Sequence, residues 1–385
     1  MDFDLSEDFE LLRQTTRSFA EERIGPGTGE RDRNGEFPLA QVKEAGELGL
    51  LGVTVPEEHG GSGLGNLAGS IITEELSRVC ASVGVTVSVH NSLVATPLRK
   101  FGTEEQRAQY LPKMATGEWL GAYALTEANA GSDAANQSTK AVLDGDDYVL
   151  NGTKMWITTG AQADIFIIFA RTSLDDEKKK AKGVTAFLVE RTFPGLKVGK
   201  HESKLGIRAS STTEIVLEDC RVPARNVLGE VGRGFRIAMD TLDGGRIGIG
   251  SQAVGIAQAC LEASTKYAQE RQQFGRPIAA FQAIQWKLAA MATEIEAARL
   301  LVRKSAWLRD AGRPCSLAAS MAKLSASTMA NRAAEEAVQI HGGAGYTTDF
   351  PVERFMRDAR ITEIYEGTTE IQHLVIARQI LNASS

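Results

Sequence analysis

Leu143-Asp144-Gly145-Asp146-Asp147-Tyr148-Val149-Leu150-Asn151-Gly152-Thr153 is the stretch that decides the architecture. It holds two turn dipeptides, Asp-Gly and Asn-Gly, and β-prone runs flank both, which is the strongest hairpin signal in the chain. More short β-prone runs follow at 154–158, 164–170, 184–189 and 214–218. The charged run Asp175-Asp176-Glu177-Lys178-Lys179-Lys180 reads as a solvated loop between two of them. A small β domain over residues 119–230 is therefore expected.

Both flanks read as helix. Before it, Leu5, Phe9, Leu12, Phe19 and Ile24 approximate a 3.6-residue period. Thr103-Glu104-Glu105-Gln106 has capping-box spacing and opens a helix running through Leu111. After it, long alanine- and leucine-rich segments are expected as helices at 232–270, 279–311, 315–341 and 369–381, with Asp310-Ala311-Gly312-Arg313-Pro314 breaking the second from the third. The predicted layout is a mainly α fold: N-terminal helices over 1–118, a β domain over 119–230 and a C-terminal four-helix bundle over 231–385.

Composition narrows the function. The 385 residues carry 43 basic and 49 acidic side chains, and no long basic cluster suits a nucleic acid. Four cysteines (Cys80, Cys220, Cys260, Cys315) are scattered without a CxxC pair, which fits a reducing compartment, cytoplasm or organelle matrix. The acidic N-terminus is no signal peptide, and the strongest apolar run, 165–170, is too short to span a bilayer. The five histidines do not cluster at ligand spacing, so no catalytic metal is expected. Gly63-Leu64-Gly65-Asn66-Leu67-Ala68 fits a dinucleotide fingerprint literally, but Val53-Thr54-Val55 is a weak strand, Pro56-Glu57-Glu58-His59 intervenes before the glycines and no second βαβ unit follows, so it reads as a loop.

The chemistry-bearing stretch is Ile364-Tyr365-Glu366-Gly367-Thr368-Thr369-Glu370-Ile371-Gln372. Thr369 and Gln372 have capping-box spacing, which puts the helix N-cap at Thr369 and Glu366 on the entry loop. Gly367 permits a sharp turn and close approach of a ligand, so Glu366 is a candidate general base, with a solvated loop glutamate as the alternative.

Four further segments accompany it: 123–133 (YALTEANAGSD), 154–160 (KMWITTG), 271–277 (RQQFGRP) and 339–346 (QIHGGAGY), the last leading into Arg357-Asp358-Ala359-Arg360. In this order and register, over essentially the whole chain, the set resembles the acyl-CoA dehydrogenase flavoproteins. Leu242-Asp243-Gly244-Gly245-Arg246-Ile247-Gly248-Ile249 and Thr362-Glu363-Ile364 look most like the short-chain, butyryl-CoA branch.

The resemblance implies FAD as cofactor. It places Tyr123, Leu125, Thr126, Gly131 and Ser132 on one flavin wall, mostly through backbone groups and the Thr126 and Ser132 hydroxyls. Trp156, Ile157 and Thr158 would lie against the ring, although Trp156 alone reads equally as a core aromatic. Arg271, Phe274, Gln282, Gln339, Gly342 and Gly343 would hold the adenosine diphosphate half, aided by Thr368 and Glu370 at a helix N-terminus. A surface ion pair for Arg271 and a helix C-cap for the glycines are the plain alternatives. Around an acyl-CoA the resemblance puts Ser132, Asp243, Arg246, Tyr365 and Gly367, with an intrahelical Asp243–Arg246 pair as the other reading.

The implied reaction is α,β-dehydrogenation of an acyl-CoA thioester: Glu366 takes the α-proton and the β-hydride goes to flavin N5, giving a trans-2-enoyl-CoA. Burial should raise the Glu366 pKa towards neutrality. Gly245 occupies the position where some relatives place the base, and no arginine lies between Arg78 and Arg99, where dicarboxyl-CoA enzymes use one. An electron-transfer flavoprotein as acceptor and a homotetramer are also implied. A branched-chain or alicyclic substrate, an oxidase, and a non-catalytic acyl-CoA- or flavin-binding homologue remain as alternatives.

Overall fold

The computed structural model describes residues 4–173 and 181–382; the expected charged loop at 175–180 lies outside them. Among the described residues, seven α-helices precede the sheet: α1 (Glu7–Phe19), α2 (Thr28–Asn34), α3 (Leu39–Glu47), α4 (Gly65–Val79), α5 (Ala81–Val89), α6 (Thr96–Phe101) and α7 (Glu104–Ala115). The capping box of α7 forms as the sequence predicts. Thr103 Oγ1 accepts from the Gln106 amide at 3.3 Å, and Gln106 Oε1 accepts from the Thr103 amide at 3.1 Å.

The glycine-rich segment at 63–68 is a loop running into the first turn of α4, with turns rather than a strand at Val53–Val55. The anion-binding end of α4 is already filled: the Asp310 carboxylate accepts from the Asn66 amide at 2.7 Å and the Leu67 amide at 2.8 Å.

The middle strands are β1 (Gly121–Ala124), β2 (Lys140–Asp144), β3 (Asp147–Thr158), β4 (Ile165–Arg171), β5 (Val184–Glu190), β6 (Leu196–His201), β7 (Thr212–Pro223) and β8 (Val227–Leu228). They form one sheet in the order β6-β7-β3-β2-β4-β5-β8, with β1 parallel to β4. Of the two expected turns, only Asp-Gly makes a hairpin: Asp144 pairs with Asp147 across Gly145 and Asp146. Asn151-Gly152 instead sits inside the continuous strand β3. The register against β7 slips there, and Asn151 Oδ1 accepts from the Asp219 amide at 2.9 Å. A glycine with β-prone neighbours serves as a bulge when a partner strand is present to compensate, which local sequence cannot reveal.

The remaining elements are α8 (Gly234–Glu270), a small hairpin of β9 (Gln272–Gln273) and β10 (Arg276–Pro277), then α9 (Gln282–Asp310), α10 (Ser316–His341), α11 (Val352–Arg360) and α12 (Thr369–Asn382). The four long helices match the expected segments within three residues at each end. No helix among the described residues is long and apolar enough to cross a membrane.

Helix α8 has 37 residues, or about 55 Å at 1.5 Å per residue. It packs on α10, α9, α4 and α5. Its middle is buried on nearly every side, from Gly244 through Ala257. Isoleucine, alanine and valine of α8 join residues of α5, α9, α10 and α11 in the largest apolar core. A second core lies between α6, α7, the start of α8 and one face of the sheet, and a third under the other face.

Glycines set the closest approaches of α8. A Cβ on Gly255 would stand 2.3 Å from the Glu74 carbonyl oxygen and 3.0 Å from the Arg78 amide of α4, neither of which can rotate away. Gly255→Ala therefore sets a helix-propensity gain of about 1 kcal/mol against an overpacking cost of about 1–3 kcal/mol. The expected outcome is a lower midpoint in thermal unfolding; a rise would show that α4 and α8 separate without cost.

Candidate active site

Glu366 lies between a 3-10 turn (Ile361–Glu363) and α12. Its φ is +52° and that of Gly367 is +95°, so two successive left-handed residues reverse the chain. For a non-glycine residue this conformation costs of order 1 kcal/mol or more, and it persists only where neighbours enforce it. The neighbours do so here. Lys323 Nζ of α10, fully buried, donates to the carbonyls of Thr362 (2.9 Å) and Gly367 (2.8 Å). Gln372 Nε2, from the first turn of α12, also donates to Gly367 O at 2.8 Å.

The expected cap is displaced by one residue. Thr368 Oγ1, not Thr369, accepts from the first turn, at the Ile371 amide (3.4 Å), and Thr369 Oγ1 donates back to Glu363 O. Gln372 folds under the loop rather than back to the cap, because its side chain is completely buried and finds the Gly367 carbonyl there.

The Glu366 carboxylate turns inward. Oε2 is buried and accepts no hydrogen bond. Burial pushes its pKa up to about 7, against the opposing pull of Lys323 and Arg246. Arg246, buried on α8, pairs with Asp243 at 2.5 Å one turn earlier, and Asp243 is held in turn by the Ser316 hydroxyl. The intrahelical ion pair is thus present, and the field of Arg246 also reaches the glutamate. Gly245 faces the carboxylate so closely that a Cβ there would lie 2.0 Å from Oε2. Tyr365, beside the glutamate, donates its hydroxyl to Gln252 Oε1, and Gln252 Nε2 donates to Ala81 O at 3.0 Å.

The sheet supplies the opposite wall. Tyr123 on β1 has a buried hydroxyl without a partner and meets Phe169 edge-on at 5.1 Å. Leu125 is buried, Thr126 half-buried, and Gly131 and Ser132 exposed on the following turn. Trp156 adopts φ +61° and is 55% exposed, which excludes the core-aromatic reading. Ile157 faces the core, so only its backbone is available to a ligand, and Thr158 is half-buried. This wall is fixed from behind by a buried ion pair at 2.7 Å, Lys154 to Glu127. Lys154 also donates to Leu125 O at 3.2 Å, while Glu127 accepts from the amides of Ser138 and Thr139. Burial opposes the Glu127 charge, but Lys154, Ser138 and Thr139 outweigh it and hold the carboxyl at about 2.

Five of the remaining candidates line two surface clefts that share no lining residue. One, of about 400 Å³, joins Arg271, Gly342 and Gly343 to Tyr267, Ile340 and His341. The other, of about 290 Å³, joins Thr368 and Glu370 to Arg360, Glu363 and Ile364. Gln339 and Gln282 are exposed, and Phe274 at the tip of the β9–β10 hairpin is 93% exposed with φ +53°. Arg271 makes no ion pair among the described residues, which does not support its surface salt-bridge reading, while Gly342 does end α10 at φ +61° with its Cβ direction open.

Sequence reasoning missed Lys323, Gln252 and the Lys154–Glu127 pair. The available signal for Lys323 was one lysine on a helix face otherwise made of Ala319, Ala322, Ala326 and Ala330, all buried. The donor set suits a flavin dinucleotide. Among the described residues, an arginine without an ion pair shares a cleft with two unencumbered glycines, a large aromatic stands exposed on a strand, and a buried tyrosine hydroxyl and glutamate oxygen lack partners.

Family models for the acyl-CoA dehydrogenase N-terminal, middle and C-terminal domains match residues 6–118, 122–220 and 232–381. The chain belongs to the acyl-CoA dehydrogenase family. Over 380 residues it is 51% identical to the short-chain specific acyl-CoA dehydrogenase of Clostridium acetobutylicum, covering 99% of this chain and 100% of that one. Among solved structures, butyryl-CoA dehydrogenase from Megasphaera elsdenii superposes with a TM-score of 0.96 at 45% identity, covering 99% of this chain and 100% of the other. A chain from work on the electron transferring flavoprotein of Acidaminococcus fermentans and flavin-based electron bifurcation gives 0.97 at 48%, with the same coverage.

The contact of Gly245 with Glu366 is directly testable. Gly245→Ala should fold normally, since a carboxylate can rotate, but should displace Oε2 by about 1 Å or more, because carbon–oxygen contacts inside proteins do not fall to 2 Å. A crystal structure of the variant with the carboxylate unmoved would refute the tight fit.

Proposed function

We propose that this chain dehydrogenates a short, straight-chain acyl-CoA at its α,β-bond, with Glu366 as the base that takes the α-proton. The observation that supports this most strongly is the buried, unpartnered Glu366 Oε2 with its pKa raised to about 7. A base poised near the working pH combines an ionised fraction with driving force for proton abstraction. The two cations that oppose burial, Lys323 and Arg246, keep the ionised form reachable.

Taking the α-proton puts negative charge on the thioester oxygen. The Glu366 amide has no acceptor among the described residues and lies on the same reversed loop, so it is the donor we assign to that oxygen. FAD, when bound, supplies the hydride acceptor. Trp156 and Thr158 would flank it, with Tyr123, Leu125, Thr126, Gly131, Ser132 and the Ile157 backbone on the same wall. Arg271, Phe274, Gln282, Gln339, Gly342, Gly343, Thr368 and Glu370 would hold its diphosphate and adenosine half. Ser132, Asp243, Arg246, Tyr365 and Gly367 would surround the acyl-CoA.

The short-chain preference is supported by how little space borders the glutamate. A Cβ on Gly245 would also meet Leu93 at 2.9 Å, one on Gly248 would meet Ser88 Oγ at 2.1 Å, and Tyr365 and Gln252 are tied to each other and to Ala81.

A homotetramer is supported by the two separate clefts and by large exposed apolar groups at Phe274 (93%), Trp286 (68%) and Tyr346 (88%). An electron-transfer flavoprotein as acceptor is supported by the likeness to a chain from the electron transferring flavoprotein work. We assign the domains to 1–118, 119–230 and 231–385, and the enzyme to the bacterial-type cytoplasm or a mitochondrial matrix.

Anaerobic titration of the purified protein with butyryl-CoA, read in the flavin absorbance band, tests the whole reading. Bleaching by butyryl-CoA, and weaker bleaching by longer and branched thioesters, is expected. No reduction by any acyl-CoA would favour a non-catalytic homologue. Glu366→Gln should keep FAD and acyl-CoA binding while losing about three decades of turnover. In the wild type, kcat/KM should rise with pH through a bend near 7, as the carboxyl must lose its proton to act, and that bend should be absent in any residual activity of the variant.

A further inference from the structure

Lys323 is a charge in an unusual place. It lies on α10 with no exposed surface, among buried alanines and serines. An isolated ammonium in such surroundings is costly, and burial lowers its pKa to about 8. Its placement has a direct consequence for the loop of Glu366. Nζ binds the carbonyl of Thr362 four residues before the glutamate and that of Gly367 one residue after it. The segment between these two anchors is the one that carries the left-handed Glu366. No hydrogen bond joins Nζ to the carboxylate itself, so the lysine acts on it through backbone and through field.

We propose that Lys323 is a positioning residue for the base: its ammonium clamps the backbone on both sides of Glu366 and supplies positive charge against which the buried carboxylate ionises. The proposal rests on the reading of Glu366 as the base. The groups that face this pair are few. From α8 come Arg246 and its partner Asp243, from β1 Tyr123, and from the loop itself Tyr365 and Glu363, the latter paired with Arg360. Asp358 of α11 acts on Tyr365. Arg246 already has the Asp243 carboxylate at 2.5 Å, whereas Lys323 meets only neutral carbonyls. Lys323 thus contributes the positive charge near Glu366 that no directly bonded carboxylate neutralises.

Two substitutions separate the two parts of the role. Lys323→Gln keeps a donor for the carbonyls and removes the charge; Lys323→Met removes both at similar volume. Lys323→Met takes a buried donor away from the Thr362 and Gly367 carbonyls whereas Lys323→Gln keeps one, so FAD content and the thermal midpoint are measured for each variant to establish that it folds.

In both variants the acid bend of kcat/KM with butyryl-CoA should move up by about one pH unit, an approximately fivefold loss at pH 7 that approaches tenfold below about pH 6 and narrows towards pH 9. Lys323→Met should in addition lose kcat at every pH, because the loop is released, and Lys323→Arg should leave the bend near its wild-type position. A purely structural lysine would give a uniform loss with the bend unmoved, which overturns the proposal. Measured beside these, Glu366→Gln tells the two failures apart. An active Glu366→Gln would remove the base assignment itself. An inactive one, together with an unmoved bend in Lys323→Gln, would remove only the role of Lys323.

Discussion

The close seating of α8 against the N-terminal helices is the constraint on which the rest of the molecule depends. Where Gly245, Gly248 and Gly255 lie, other groups come within distances that no side chain would leave open: the Glu366 carboxylate, Ser88 Oγ and the Glu74 carbonyl. Helix propensity disfavours glycine by about 1 kcal/mol per residue relative to alanine, so a helix with this many glycines is stabilised by what it packs against. The same contacts bring three separate parts of the chain (the β1 wall, the α8 face and the loop before α12) around one carboxylate.

Three of the buried ions around the site, Lys154, Glu127 and Lys323, hold backbone groups. Lys154 and Glu127 tie together Leu125, Ser138 and Thr139 behind the sheet wall, and Lys323 ties Thr362 to Gly367 behind the glutamate. A buried ion that merely paired with its opposite would add little to stability, since desolvation offsets the attraction. Ions that also collect carbonyls and amides fix the shape of irregular segments that have no ladder of their own. The two walls of the site are such segments.

Much of this was legible in the sequence. The helix–sheet–helix order, the long C-terminal helices, the α7 cap and the loop position of Glu366 follow from periodicity, turn chemistry and motif register. What was not legible depends on partners far along the chain. The Asn151-Gly152 dipeptide has the local chemistry of a turn and becomes a bulge only because β7 runs beside it. Thr369 and Thr368 are equivalent as capping residues until the Gly367 carbonyl recruits Gln372. Lys323 stands on an alanine face that marks it for burial, but what it binds there, the carbonyls of the loop at 362–367, comes from a segment some forty residues later. The literal match at Gly63–Ala68 fails for a reason outside the motif, since Asp310, more than 240 positions later, occupies the helix end that a phosphate would need.

Strand β3 carries a consequence of a different kind. Lys154 and Ile157 both point into the protein although they are three residues apart, and the odd spacing is absorbed by Trp156 at φ +61°. In an unbroken strand the faces alternate strictly, and Trp156 would share the inner face with Lys154. The irregularity is therefore what hands the tryptophan to the solvent side while keeping the ion pair inside. Deleting or inserting one residue between Gly152 and Lys154 would exchange the two faces downstream, bringing a charge to the surface and the indole to the interior. The number of residues in this short span is thus under as much constraint as their identity: substitutions can accumulate along it, but changes of length cannot.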